Sequence, residues 1–384
     1  MLIRNARLWD GTGAGVRPGT TLHAPQERIA WIGPDARAPA PGPEETVIDA
    51  AGRWLLPGLI DLHVHLTFDP AEGDFRRYDI ATPVPEQALL GAHHARLMLE
   101  AGFTAVRDVG AIGWANVALK RAIDAGWVAG PRMQTSGGLL TVTGGHFDSP
   151  FRPEVSVPHG GLVRGADGAV EAVREEVKRG ADWIKLLVTG GVMTGTTPLG
   201  RSLWEEAEIR AAVQAAGRLG RKVAAHCHGA EGIVAAAEAG VSTVEHGTLG
   251  DEAAAAAMAR HGVTLIPTFT AAAGVARAAR EGRLIPSVAA LALGLEETHD
   301  QAFRAAVGAG VRVALGTDTG VPGTAFGQNA GELAHLVRHG LTPEQALLAA
   351  TRDAAAVLGR EGSLGTLVEG ALADCLLLDG DPLR

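Results

Sequence analysis

Two histidines lie two positions apart in the apolar stretch LIDLHVHL, residues 59–66. Because side chains alternate faces along an extended strand, His63 and His65 project from the same face. The stretch is otherwise typical of a buried strand. One imidazole in such a strand is most often a hydrogen-bonded core residue, so the pair matters only if further polar groups join it.

Six other β-type runs also end at a polar side chain. These residues are Asp108, Lys185, His226, His246, Thr268 and Asp318. If the runs are parallel strands of one barrel, their carboxyl ends meet on the same rim. Two of the six, Asp108 and Thr268, we expect to be structural, because a lone polar residue at a strand end is usually satisfied by hydrogen bonds.

Four imidazoles on one rim would be costly to bury unless they shared a partner. A divalent metal is such a partner, and neutral imidazole suits zinc and its neighbours in the first transition row. The residues therefore predict a metal site. Its imidazole ligands are His63, His65, His226 and His246, and Asp318 supplies a carboxylate as ligand and as a base.

Lys185 is the unexpected member of this set, because the chain has only four lysines among its 34 basic residues. An ammonium group would repel a metal ion, and an ion pair with Asp318 is one interpretation. Alternatively, the amine reacts with CO₂ to form a carbamate, an anionic oxygen ligand that can bridge two metal ions. Arginine cannot undergo this reaction, so a lysine at this position favours the carbamate.

A local pattern that recurs six times indicates the elements that hold these residues. Each copy has an Ala/Leu-rich amphipathic segment, a glycine, a β-type run and a polar residue. The copies are EAGFTAVRD, KRGADWIKL, RLGRKVAAH, EAGVSTVEH, RHGVTLIPT and GAGVRVALGTD. The glycine suits the left-handed residue that ends a helix, and the run after it is typical of a buried strand.

With LIDLHVHL and PRMQTSGG the strands number eight, and they alternate with helices. This α/β pattern predicts a (β/α)8 TIM barrel over residues 57–361, with an open doubly wound sheet as the alternative. The flanks, residues 1–56 and 362–384, are short alternating runs broken by turn pairs such as DG and PG. We expect them to form one small discontinuous β-sandwich domain from both termini.

The composition of the chain limits its expected partners and its expected cellular location. The 384 residues are 46% hydrophobic and carry a net charge of −9, without a Lys/Arg-rich run, which argues against nucleic acid and anionic membranes as partners. Two cysteines suit a reducing compartment, and the N-terminus lacks the apolar core of a signal peptide. We expect a cytoplasmic protein with no membrane segment, as a monomer or a homo-oligomer.

Five motifs in order, PGLIDLHVHL, IKLLVTGGV, VAAHCHG, VEHG and GTDTG, resemble the amidohydrolase superfamily in its binuclear branch. The resemblance covers nearly the whole chain and is greatest to the imidazolonepropionase-like group, which includes Xaa-Pro dipeptidases (prolidases). It implies one metal on His63, His65 and Asp318, a second on His226 and His246, and carboxylated Lys185 between them. Imidazolonepropionases proper use one metal and lack this lysine, which argues against their activity here.

The resemblance implies two divalent ions, with zinc favoured, and hydrolysis of an amide C–N bond. A metal-bridging hydroxide would attack the carbonyl, with Asp318 as proton shuttle. The expected substrate is a small molecule, an Xaa-Pro dipeptide or an N-acyl amino acid. A lactonase or phosphotriesterase-like esterase is the alternative. A more remote alternative is a metal-free structural paralogue. It is remote because all six ligand positions are present.

Two further histidines are expected to contact substrate. His228 lies two residues beyond His226, on the same strand face. His146, in TGGHFDS, resembles the family's Gly-Gly-His loop and would bind a substrate carboxylate. Family members usually continue Gly-Gly-His-Gly-Asp, whereas this chain has Phe147. Phe326 stands where relatives often have histidine, which predicts a more apolar pocket.

Overall fold

The structure, a computed structural model, describes residues 1–149, 151–152, 154–155, 157 and 160–384. The strands of the described chain are β1 (Leu2–Trp9), β2 (Val16–His23), β3 (Trp31–Pro34), β4 (Val47–Asp49), β5 (Trp54–Pro57), β6 (Leu59–Val64), β7 (Phe103–Asp108), β8 (Arg132–Thr135), β9 (Thr141–Val142), β10 (Leu162–Val163), β11 (Trp183–Leu187), β12 (Lys222–Gly229), β13 (Thr243–Leu249), β14 (Thr264–Ile266) and β15 (Cys375–Leu378).

Most of the helices follow the strands of the central region. They are α1 (Phe75–Ala81), α2 (Val84–Glu100), α3 (Ala115–Asp124), α4 (Gly165–Arg179), α5 (Glu206–Arg218), α6 (Ala230–Ala239), α7 (Glu252–His261), α8 (Phe269–Arg280), α9 (Pro286–Ala292), α10 (Leu295–Gly308), α11 (Gly331–Arg338), α12 (Pro343–Ala349) and α13 (Arg352–Val357). In the part of the chain that the structure describes, no helix is both long and apolar enough to cross a membrane.

The central strands are parallel and follow the chain order. One sheet has the order β6-β7-β8, and a second has the order β11-β12-β13-β14. Backbone hydrogen bonds connect the first sheet to the second between β8 and β11. Others connect β14 to residues 312–319, and these residues to β6. Three of these bonds run from Asp182 N to Thr135 O, from Leu265 N to Arg312 O and from Leu62 N to Leu315 O. The predicted α/β class is confirmed.

The six glycines that precede the repeated β-type runs have the predicted conformation. Their φ angles lie between 66° and 118°, in the left-handed region. They are Gly102, Gly180, Gly220, Gly240, Gly262 and Gly310. Each therefore turns the chain from a helix into the next parallel segment.

Strand β12 shows how alternation directs side chains into the site. Val223, Ala225 and Cys227 pack in the main core, which also contains the helices around the sheets. The residues between them face the opposite way, and His226 and His228 there line a pocket. Because the side-chain period of a strand is two, the core residues fix the direction of both histidines.

Both chain ends lie in one six-stranded sheet. Its order is β15-β5-β1-β2-β3, with β4 also paired to β1. Strand β15 is antiparallel to β5, and β5 leads through Gly58 directly into β6. A Cβ at Gly58 would collide with the side chain of Thr104, so only glycine fits there. The second layer of the expected sandwich stays a prediction.

Candidate active site

One pocket at the carboxyl-terminal side of the parallel segments brings together all eight side chains that we predicted for the site. They are His63, His65, His146, Lys185, His226, His228, His246 and Asp318. They come from distant parts of the sequence and are largely buried. The strand-end argument therefore predicted seven of these residues, and the family resemblance predicted His146.

Asp318 lies against the histidine pair of β6. Its Oδ1 is 3.4 Å from Nε2 of His63 and 3.3 Å from Nε2 of His65. Ligand atoms of His63, His246 and Asp318 all lie within 4.8 Å of one another, close enough to share a metal ion. Although burial opposes ionisation, the adjacent His63 and His65 hold the pKa of Asp318 well below its usual range, so it is a carboxylate at neutral pH.

His63 is oriented by a buried charged pair that sequence reasoning missed. Its Nδ1–H donates to Oε2 of Glu245 (2.8 Å), and Oε1 of that carboxylate accepts from Arg107 (2.8 Å). Burial alone would raise the pKa of Glu245, but Arg107 and His63 outweigh it and lower the pKa. This arrangement directs Nε2 of His63 into the pocket, as second partners do in metal sites. The available signal was the position of Glu245, immediately before His246 in VEHG.

Two other imidazoles are held through Nδ1 in a similar way. His65 donates to the carbonyl of Gly110 (2.8 Å), and Nδ1 of His246 shares a hydrogen bond with Oγ1 of Thr268 (2.8 Å). Thr268 is buried and hydrogen-bonded, as expected of a structural residue, and in addition it lines the pocket and orients a site histidine. Asp108 has the structural role expected of it, because its carboxylate accepts from the backbone N–H groups of residues 66 and 110.

His226 is held through the opposite nitrogen. Its Nε2–H donates to the carbonyl of Gly190 (3.2 Å), so Nδ1 is the atom directed to the centre. His228 shares a hydrogen bond between Nδ1 and Oγ1 of Thr248 (2.9 Å). Burial, followed by the nearby His246, lowers the pKa of His226 well below its usual range. Burial also lowers the pKa of His228 to about 4. Both rings are therefore neutral, the form that binds metal or shares a proton with a ligand.

Lys185 lies in the middle of this polar cluster. Its side chain is only 2% exposed, and Nζ has no hydrogen-bond partner among the described residues. The ion pair with Asp318 is therefore not formed. Burial lowers the pKa of Lys185 to about 8. A buried amine without a partner is costly, which indicates that this position is completed by another group.

His146 lies under the loop that follows β11. Its Nδ1 hydrogen-bonds Oγ1 of Thr194, and its ring centroid is 4.8 Å from that of His226. A Cβ at Gly191 would collide with the ring, so this glycine allows the loop to pass over it. Burial, then the nearby His228, lowers the pKa of His146 to about 3. A neutral His146 can offer a substrate oxygen one N–H but no positive charge.

The remaining pocket wall is largely apolar, with Thr248, Thr268, Glu296 and His299 as its other polar residues. It includes Phe68, Phe147, Val192, Met193, Val275 and Val321. Lys185 is the only lysine or arginine among the described residues that line the pocket. Phe326 lies elsewhere, because its ring stacks on His94 at 4.0 Å. The apolar character predicted from Phe326 therefore comes from other residues.

Asp61 is a further residue that sequence reasoning missed. Buried beneath the pocket, it accepts hydrogen bonds from the backbone of His63 and from both Thr317 and Asn329. These bonds join β6 to the segment that carries Asp318. The signal was its position two residues before His63, on the same face of β6.

Comparison with known proteins agrees with this geometry. The sequence profile of the amidohydrolase family matches residues 54–384. Ochratoxinase from Aspergillus niger is 34% identical over 404 aligned positions, covering 100% of this chain and 82% of the enzyme. Imidazolonepropionase from Acidiphilium cryptum is 29% identical, covering 100% of this chain and 93% of that protein.

A solved structure is similar over the whole chain. It is the crystal structure of an Xaa-Pro dipeptidase with methionine bound in its active site. The two chains superpose with a TM-score of 0.92 at 33% identity, covering 100% of this chain and 94% of the dipeptidase. The chain therefore belongs to the amidohydrolase family and is a hydrolytic enzyme, similar to imidazolonepropionases and Xaa-Pro dipeptidases.

Proposed function

We propose that the protein is a metal-dependent hydrolase that cleaves an amide C–N bond in a small substrate. The observation that carries this proposal is the amine of Lys185, which has no hydrogen-bond partner among the described residues and is buried among imidazoles whose other nitrogens are already held. A carbamate on Lys185 and two divalent ions would satisfy this amine and the inward-facing nitrogens together. The donor set of nitrogen and oxygen atoms suits zinc.

The ligands divide between two ions. His63, His65 and Asp318 would hold one, His226 and His246 the other, and the Lys185 carbamate would contact both. Asp318 and the histidine pair are already within 3.4 Å of each other. The lowered pKa of Lys185, about 8, leaves part of the amine neutral near physiological pH, which is the form that reacts with CO₂.

Divalent ions bound there would polarise the scissile carbonyl and lower the pKa of water. Asp318 takes the proton of the attacking water and returns it to the leaving nitrogen. Because the pKa of Asp318 is low, its side chain is ionised at neutral pH and has a free oxygen to accept this proton. Neutral His228 and His146 are each held at Nδ1, and Nε2 is the nitrogen that each would use for the substrate, although that atom of His146 lies against Gly191. Both orient oxygen atoms of the substrate by hydrogen bonds.

The substrate class we propose is an Xaa-Pro dipeptide or an N-acyl amino acid. The similarity to an Xaa-Pro dipeptidase and to ochratoxinase, which by its name acts on ochratoxin, supports this choice. His146 and His228 are the groups that would bind the substrate carboxylate. One observation favours a neutral ester, lactone or phosphotriester as the second candidate. The described pocket lining has no arginine, and its one lysine is assigned to the metals.

We further infer that the ring of parallel segments is a (β/α)8 barrel over residues 57–361. The domain of residues 1–56 and 362–384 would be a β-sandwich. The hydrogen bonds that lead from β6 through every segment back to β6 support the barrel. A cytoplasmic location stays a prediction from composition, and monomer and homo-oligomer stay the two alternatives for the assembly.

The test is metal content and hydrolysis on the same preparation. The protein is loaded with zinc in bicarbonate, and its metal stoichiometry is measured. It is then assayed on Xaa-Pro dipeptides, N-acyl amino acids, lactones and phosphotriesters, with and without chelator. We expect two ions per chain and chelator-sensitive amide hydrolysis. Ester cleavage without amide cleavage would favour the second candidate, and full activity of metal-free protein would refute both.

The Lys185 assignment is tested with Lys185→Arg and Lys185→Ala. Neither can form a carbamate, so we expect metal content to fall below two ions per chain, with at least about 100-fold loss of kcat/KM. Lys178→Arg is the matched control, because that lysine is exposed, lies outside the pocket and forms an ion pair with Glu175. Two bound ions and normal turnover in both Lys185 variants would show that the carbamate is wrong.

A further inference from the structure

Phe147 adopts a backbone conformation that its side chain disfavours. Its φ is 64°, in the left-handed region where glycine is the usual residue. Among the described residues, seven that are not glycine have positive φ: Asn5, Ala51, Trp114, Phe147, His246, Thr268 and Asp318. Four of the seven line the active-site pocket, namely Phe147, His246, Thr268 and Asp318. Strain of this kind is retained where function requires it.

Three of those four have a role in the site already described. His246 and Asp318 are proposed ligands, and Thr268 orients His246. Phe147 has no such role, because a phenyl ring neither binds metal nor transfers a proton. Its backbone N–H donates to Oγ1 of Thr194 (3.0 Å), the hydroxyl that also holds His146. The loop is thus fixed so that the ring faces the pocket.

The ring belongs to an aromatic cluster beside the imidazoles. Its centroid is 5.7 Å from that of Phe75 and 6.4 Å from that of Phe68, with an angle of 29° to the latter ring. Phe68 in turn stacks on His65 at 4.9 Å. Phe68 and Phe147 line the pocket, whereas Phe75 packs behind them. These two rings, here called the aromatic wall, form an apolar part of the pocket lining next to the imidazoles.

We propose that the aromatic wall selects substrates that carry a planar apolar group next to the scissile bond, as an aromatic side chain or an aryl acyl group. This inference rests on the proposed function and names its substrate class. Aromatic rings bind one another in offset or edge-on contact with a gain beyond simple burial. An anionic group at the same place would lose its hydration without gaining a partner.

The experiment compares matched substrates on the metal-loaded enzyme. The pair N-acetyl-L-phenylalanine and N-acetylglycine tests the amine side of the bond, and the pair Phe-Pro and Gly-Pro tests the acyl side. The wild type should favour the aromatic member of at least one pair. In Phe147→Ala and Phe147→Gly we expect the ratio of kcat/KM values for that pair to fall about tenfold.

Phe326→Ala is the matched control, since it removes a phenyl ring that stacks on His94 outside the pocket. Its substrate ratio should equal that of the wild type. The strain is tested separately by melting temperature. Both Phe147 variants lose the ring, but only alanine keeps the strained left-handed conformation. The glycine variant should therefore melt higher than the alanine variant.

Three results would overturn the inference: an unchanged ratio in both Phe147 variants, an equal fall in Phe326→Ala, or no aromatic preference in the wild type. If the wild type hydrolyses no amide, the proposed function fails. The aromatic wall is then tested by calorimetric binding of N-acetyl-L-phenylalanine and N-acetylglycine to the metal-loaded protein. Equal affinity for the two compounds would overturn it, and a preference for the aromatic one that Phe147→Ala abolishes would support it.

Discussion

The chemistry of individual residues depends here on which atom of each side chain is already occupied. His63 and His65 use Nδ1 for a carboxylate and a carbonyl, and His226 uses Nε2 for a carbonyl. Each ring is therefore fixed in one tautomer with the other nitrogen directed inward. Burial lowers the pKa values of His226 and His246, which keeps both neutral. The same burial leaves Lys185 as an amine that requires a partner.

Asp318→Asn tests the proton-transfer role at this scale. The amide keeps an oxygen that can bind metal but cannot accept a proton. Metal content should therefore stay near that of the wild type, while kcat falls about 10²- to 10⁴-fold. Metal analysis and steady-state kinetics on one preparation measure both. Asp381→Asn is the control, because Asp381 pairs with Arg384 at the C-terminus. A near-normal kcat in Asp318→Asn would exclude the proton shuttle.

At the scale of elements, a buried carboxylate positions the start of α8. Glu332 of α11 accepts hydrogen bonds from the backbone of Phe269 (2.9 Å) and Thr270 (2.7 Å). The residue before them, Thr268, holds His246, so this carboxylate supports a site residue through the beginning of α8. Burial outweighs these hydrogen bonds and raises the pKa of Glu332 to about 7. The start of α8 therefore depends on pH near neutrality.

The sign of this dependence follows from the raised pKa. The proton on Glu332 stabilises the fold fully below pH 4.5, and this contribution is lost as pH rises through about 7. The full span is worth about 3 kcal/mol. Glu332→Gln removes the titration, so the free energy of unfolding of the wild type should fall relative to the variant between pH 5 and pH 8. Urea unfolding of both metal-loaded proteins at several pH values measures the difference. A constant difference would contradict the assignment.

At the scale of the whole molecule, the last strand joins the terminal sheet to the parallel region. Strand β15 pairs with β5 over four residues, from Cys375 opposite Pro57 to Leu378 opposite Trp54. A Cβ at Gly102, which precedes β7, would touch the side chain of Leu376. The apolar surface of β15 is therefore shared between both parts of the chain, which couples their stability.

The same substitution at two positions of β15 distinguishes the contact with the parallel region from pairing within the terminal sheet. Leu376 packs against the main core, whereas Leu378 is exposed. Leu376→Asp should lower the free energy of unfolding by about 2–4 kcal/mol, because it places a charge against apolar groups. Leu378→Asp should change it by less than about 0.5 kcal/mol. Urea unfolding followed by tryptophan fluorescence measures both. Equal losses would show that the contact of Leu376 with the main core adds no stability of its own.

The sequence by itself determined the alternation of strands and helices, the left-handed glycines and seven of the eight side chains that meet in the pocket, all except His146. These are properties of spacing along the chain, because strand and helix periods decide which face a residue takes and parallel strands end together. It also pointed to the amidohydrolase family before any comparison of structures.

Only the tertiary structure decided what those side chains contact. Glu245 and Arg107 form a charged pair behind His63, and Lys185 has no hydrogen-bond partner among the described residues. The pocket wall contains Phe147 and not Phe326. All three findings involve residues distant in sequence. Local periodicity gives a residue its face but not its neighbour. The neighbour depends on how strands from different parts of the chain stagger against one another, and that stagger sets the hydrogen bonds and burial on which the chemistry depends.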